Sequence, residues 1–158
     1  MGCIGTICTL AALNSGPSIR HLTAEELRAL QPDLDLYRAV ELSSLLNEYS
    51  PDPVLSAAIL MQESGLRDVH PSSTQDIGIA QIHEPTAKHY KCNLARLRKH
   101  VLSEAIQCHS RILRDKQALC RPALGKMSFL CYHSIHREKQ RVYLRQITPY
   151  LRALHWSE

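Results

Sequence analysis

Aromatic residues are scarce in this chain of 158 residues: it has one Phe and one Trp. Leu, Ile, Val and Ala must therefore build the core, and a composition rich in Leu and poor in Val leans helical. No internal repeat or low-complexity segment is visible, and neither a phosphate-binding Walker loop nor a dinucleotide fingerprint occurs. No close C-x-x-C pair suggests a zinc ribbon or a redox motif. His83-Glu84 begins like a zincin motif, but Pro85 follows and the next His is His89, so the nine histidines read as surface or cleft residues, with no metal and no cofactor expected. The longest uncharged apolar stretch, Met1 to Leu13, is far too short to span a bilayer. It lacks the basic start of a signal peptide and reads as an N-terminal extension or signal remnant over residues 1–18, ahead of one domain over 19–158.

The formal charge is +4, a mild excess that suits an anionic polymer. The C-terminal Lys and Arg fall at helical intervals among apolar residues and read as solvated helix faces. Without aromatic interleaving or a reader motif they do not indicate nucleic-acid binding. Six cysteines read as three disulfides in an oxidising compartment, with buried free thiols as the alternative. Fifteen pairings are formally open; we favour neighbours, Cys92 with Cys108 and Cys120 with Cys131.

The expected fold is all-α or nearly so, with a small β hairpin. Thr23-Ala24-Glu25-Glu26 is a capping box that opens a short helix to about Leu30. Residues 34–49 show helical periodicity. Asp52 as N-cap and Pro53 as first helical residue open a helix that ends at Gly65. That helix is apolar on nearly every face, as a helix in mid-core should be. Residues 66–83 read as loops with an irregular hairpin. Further helices are expected at about Glu84–Lys91, Asn93–Lys116, Gly125–Ser134 and Glu138–Leu154.

Glu63 breaks the local rule. It stands in the last turn of the apolar helix, where the negative end of the helix dipole and burial both disfavour a carboxylate. Both raise its pKa, and a carboxyl kept protonated near neutral pH can protonate a glycosidic oxygen. The alternative is a Glu that merely reaches solvent from a frayed helix end.

Around it stand Gln62-Glu63-Ser64-Gly65, then Ser72, then Gly78-Ile79-Ala80-Gln81-Ile82 and Pro85-Thr86-Ala87. This pattern resembles the lytic transglycosylase and goose-type lysozyme superfamily, in particular its small members from secretion systems and phages. The match is good over about residues 50–90 and loose elsewhere. The resemblance implies a lysozyme-like fold and a secreted or periplasmic enzyme that cuts the β-1,4 bond between N-acetylmuramic acid and N-acetylglucosamine in peptidoglycan. Glu63 would be the acid and then the base; Ser72, Gly78, Ile79 and Gln81 would bind substrate. Tyr132 matches a family Tyr that points at the catalytic carboxyl, whereas His133 stands where the family has Asn. That departure suggests altered glycan chemistry, such as a different acetylation state.

A transglycosylase works with one Glu and gives 1,6-anhydro products. A hydrolase usually needs a second carboxylate, for which Asp76 is the candidate and Asp68 another. The transglycosylase is favoured, the Asp76-assisted lysozyme is the alternative, and a non-catalytic glycan-binding or assembly module is the reading from another class. The expected partners are peptidoglycan strands and a secretion or virion assembly, for a monomeric protein without an integral membrane segment.

Overall fold

The computed structural model describes residues 20–69 and 75–156. The N-terminal extension, Ser72, Cys3 and Cys8 lie outside the described residues. Among the described residues eight helices and one two-stranded hairpin follow in order: α1 Ala24–Leu30, α2 Leu36–Tyr49, α3 Pro53–Ser64, β1 Asp76–Ile77, β2 Ile82–His83, α4 Glu84–His89, α5 Leu94–Arg98, α6 Leu102–Leu124, a 3₁₀ segment Gly125–Phe129, α7 Leu130–His133 and α8 Arg137–Ala153. The fold is mostly α and lysozyme-like, as expected.

Local chemistry sets the first three helices. Thr23 and Glu26 close the capping box on α1. The Asp35 carboxylate caps α2 through the Arg38 N–H. Asp52 caps α3 by accepting from the Leu55 N–H, and Pro53 occupies the first turn, where its missing donor costs nothing. Gly65 ends α3 in the left-handed region at φ 64°, donating to the Met61 carbonyl. From Pro53 to Leu60 every residue of α3 is buried, so the helix runs through the core with α2 and α8 packed against it.

Three expectations are corrected in the second half. The helix expected over Asn93–Lys116 is two helices, broken at His100, whose φ is 54°. Leu97 and Leu102, five residues apart, would point about 140° apart on one continuous helix; the break lets both enter the core, at 2% and 4% exposure. The second helix, α6, also runs past Lys116 to Leu124, with Pro122 tolerated in its last turn. Finally, Gly125–Ser134 is not one α-helix but the 3₁₀ segment followed by α7. Ser128, Phe129, Leu130 and Cys131 are buried in succession. One face of a regular amphipathic helix cannot bury four consecutive residues.

Disulfides join Cys92 to Cys108 and Cys120 to Cys131, as neighbour pairing anticipated. The first ties the end of α4 to α6, and the second ties α6 to α7. Among the described residues no helix is long and apolar enough to cross a membrane.

Candidate active site

α3 delivers Glu63 to the floor of an open pocket of about 350 Å³. Asp76, Gln81, His83 and Thr86 line it from the hairpin side, and Ile112, Tyr132 and His133 from α6 and α7. Of the sequence candidates, Glu63, Asp76, Gln81, Tyr132 and His133 therefore meet at one place. Gly78 and Ile79 do not line it. The Ile79 side chain is fully buried, and its carbonyl accepts from the Ser64 hydroxyl at 2.6 Å. Asp68 is held elsewhere, by Arg38 at 2.6 Å.

The hairpin is built to present Gln81. Asp76 pairs with His83 and Ile77 with Ile82, antiparallel, around a turn whose first residue, Gly78, has φ 67°. That region is cheap for glycine. Gln81 itself sits at φ 43°, strained for a residue with a Cβ. Its backbone N–H and side-chain amide both donate to the Gly78 carbonyl, at 3.1 and 2.8 Å. Ile77, Ile79 and Ile82 are buried and anchor this polar turn against the core, while Ser64 clamps the turn to the end of α3.

Burial pushes the Glu63 carboxyl above the usual range, and the negative charge of Asp76 adds to the shift. A hydrogen bond from the Tyr143 hydroxyl, 3.1 Å from Oε1, pulls the other way. The result is a part-buried acid, biased toward its protonated form and held in one orientation by a phenol. Asp76 has a cation-capable partner in His83, whose Nδ1 is 3.4 Å from its Oδ1.

Tyr143 was not singled out in the sequence. It lies on α8, 80 residues from Glu63, is 1% exposed, and its ring stacks on His133 at 4.4 Å and 6°. Its only local signal is an apolar heptad-like position (with Ile147 and Leu151) on the buried face of α8, which looks like core. His133 in turn has its pKa lowered by burial and by Lys139, so its ring favours the neutral form. Burial also raises the Tyr132 pKa, and the charge of Glu63 raises it further; the phenol stays protonated. Among the described residues no cluster of three or more His, Cys, Asp or Glu stands close enough to hold a metal ion.

An acid with a raised pKa, a phenol donor on it and an amide across an open polar cleft can exchange a proton with a bound ether oxygen. No curated protein and no solved structure matches the chain. Residues 43–107, which hold the second half of α2, all of α3, the hairpin, α4, α5 and the first turns of α6, match the family described as Transglycosylase SLT domain. That match supports lytic-transglycosylase-type activity on peptidoglycan in general and identifies this stretch of the chain as a segment of the lytic transglycosylase and lysozyme-like superfamily.

Proposed function

We propose that this protein is a lytic transglycosylase that cleaves the β-1,4 bond between N-acetylmuramic acid and N-acetylglucosamine in peptidoglycan and leaves 1,6-anhydro ends. The observation that carries the reading is Glu63: its pKa is raised by burial, it is oriented by Tyr143, and it faces the pocket that Gln81 and Tyr132 line.

The protonated Glu63 donates to the bridging oxygen. The C1–O4 bond breaks, its electron pair leaves on O4, and O4 departs as a hydroxyl. Positive charge at C1 is covered by the carbonyl oxygen of the substrate's own acetamido group. The Glu63 carboxylate, stabilised by the Tyr143 O–H, then removes the proton of the C6 hydroxyl as O6 bonds to C1. Glu63 is again an acid, and no water has entered the products. Gln81, Tyr132 and His133 bind the acetamido groups, a role that the family resemblance extends to Ser72. The site calls for no cofactor. A periplasmic or secreted location fits both the substrate and the two disulfides, and a monomer working beside a secretion or virion assembly is the setting we infer.

Asp76 supports a second reading. Its charge acts on Glu63 and it lines the same pocket, so a hydrolase could use it to activate water. The contact with His83, its partner across the hairpin, favours a role in holding β1 to β2 instead. Mass spectrometry of muropeptides released by the wild-type protein and by Glu63→Gln separates the readings. Products lighter by one water, lost in the variant, support the transglycosylase. Hydrated reducing ends, also lost, transfer the case to Asp76. No product with retained binding to purified wall would make the protein a glycan-binding module. Running the same assay on acetylated and deacetylated glycan tests whether His133 reflects a modified substrate; equal cleavage of both removes that idea.

A further inference from the structure

The proposed reaction makes no use of His109, yet this residue of α6 is 0% exposed and both its ring nitrogens are engaged. Nδ1 lies 2.9 Å from the Tyr132 hydroxyl and Nε2 lies 3.1 Å from Ser56 Oγ. Ser56 Oγ is 2.6 Å from Ser50 Oγ, which accepts from the Asp52 N–H at 3.2 Å. One hydrogen-bonded chain thus runs from the N-terminal end of α3, through the core, to the phenol that lines the cleft.

Its direction follows from counting hydrogens. Burial pushes the His109 pKa down to about 3, so the ring is neutral and only one nitrogen carries a proton. Suppose that nitrogen is Nε2. It donates to Ser56, Ser56 donates to Ser50, and Ser50 Oγ then accepts twice, leaving its own hydrogen at a buried pair with no acceptor among the described residues. Suppose instead that it is Nδ1. The Asp52 N–H donates to Ser50, Ser50 to Ser56, Ser56 to Nε2, and Nδ1–H to the Tyr132 oxygen. Every hydrogen of the core now has an acceptor, as buried polar groups require, and the single one left over belongs to Tyr132, which lines the open pocket.

We propose that His109 is a positioning residue: fixed as the Nδ1–H tautomer, it donates to Tyr132 and commits the Tyr132 hydroxyl to donate into the cleft. Resting on the transglycosylase reading, that O–H stabilises the Glu63 carboxylate formed when the glycosidic oxygen takes its proton. Tyr143 and Tyr132 then supply two donors to one carboxylate, from different elements.

Long-range ¹H–¹⁵N correlation of the labelled wild-type protein reads the tautomer without any assay of activity. The expected pattern is a protonated Nδ1 and a bare Nε2 for His109 at neutral pH; a protonated Nε2 overturns the proposal. Two variants test the consequence. In His109→Asn the amide nitrogen falls near Nδ1 and keeps the donor to Tyr132. In His109→Gln the amide reaches toward Ser56 and loses Tyr132. We expect kcat within about threefold of wild type for the first and about tenfold lower for the second, at unchanged KM, the scale of one donor lost from a charged acceptor. Equal losses in the two variants overturn the positioning role. If wild-type protein shows the expected tautomer but releases no product, the transglycosylase reading fails while the hydrogen-bond chain stands.

Discussion

One side of the cleft is local and the other is assembled. On the near side, Glu63, the Ser64 clamp, Asp76 and Gln81 all lie between residues 63 and 83, and the buried isoleucines of the hairpin hold them. The far side draws on Tyr132 and His133, which line the cleft from α7, and on the buried His109 of α6 and Tyr143 of α8, which contact Tyr132, His133 and Glu63 from behind. Its braces are the Cys120–Cys131 disulfide and Gln140, buried at 6% exposure, whose amide donates to the Ser134 carbonyl at 2.8 Å. The near side supplies the proton and the far side sets how tightly the charge that remains is held. Such a division separates what a mutation does to chemistry from what it does to geometry.

The sharpest test lies on the near side. Glu63→Gln removes the acid, and kcat should fall by about 10³-fold, within the usual range for a general acid. Stability should move the opposite way. The Glu63 pKa is raised in the folded state, so its contribution is fully present below the unfolded pKa and is lost as pH rises through the folded one. Gln mimics the protonated acid. The variant should therefore melt with the wild type at acidic pH and above it at neutral pH, which a melting series over pH 4–8 will read. A variant that melts lower at neutral pH would mean that burial does not penalise the charge.

Tyr143→Phe carries the test to the far side. It deletes the hydrogen bond that the Tyr143 hydroxyl donates to the Glu63 carboxylate while keeping the ring stacked on His133. A hydrogen bond to a charged group contributes about 1.5–3 kcal/mol, so kcat should drop at least about tenfold. That bond lowers the Glu63 pKa; without it the alkaline limb of the activity profile should move to higher pH. A limb that does not move would separate Tyr143 from the titrating acid.

The two sides differed in the same way in how much of them was legible. Glu63, Gln81 and the hairpin could be read because cap, apolar helix, Gly65 and a fixed spacing all lie within one stretch of chain. The family match over residues 43–107 covers that stretch. Tyr132 was found only by its neighbours in the sequence. Tyr143 and His109 were not found, because a buried Tyr on an amphipathic face and a buried His on α6 look like packing until the fold brings them to Glu63 and Ser56. The break at His100 was missed for a related reason: nothing in the local pattern marks it, and it is set by burying Leu97 and Leu102 together.

Removing each disulfide as a pair of serines compares the braces directly. Loops of this length are worth about 3 kcal/mol, so Cys92→Ser with Cys108→Ser and Cys120→Ser with Cys131→Ser should lower the melting temperature alike. Their effect on kcat should not be alike. Around Cys92, α4 and α6 are also joined by the Tyr90 hydroxyl on Asp115 and by Arg111 on the Tyr90 carbonyl, at 2.5 and 2.7 Å. Cys131 directly precedes Tyr132. A several-fold loss of kcat, about threefold to tenfold, is expected for the second pair alone. Equal losses would mean that the far side is not more dependent on its crosslink.

The smallest effect is expected at Asp76, back on the near side. Asn preserves the shape of the hairpin residue that faces His83 and removes only its charge. Under the single-Glu mechanism Asp76 contacts no reacting atom, so kcat at its optimum should stay within about threefold of wild type. The charge nevertheless reaches Glu63, where it raises the pKa. Its loss should move the alkaline limb to lower pH, opposite in sign to Tyr143→Phe, and in the double variant the two shifts should partly cancel if both act on Glu63 alone. A collapse of kcat comparable to Glu63→Gln would make Asp76 a reacting group. The near side would then hold both carboxylates of a hydrolase, and the released sugars should carry the added water.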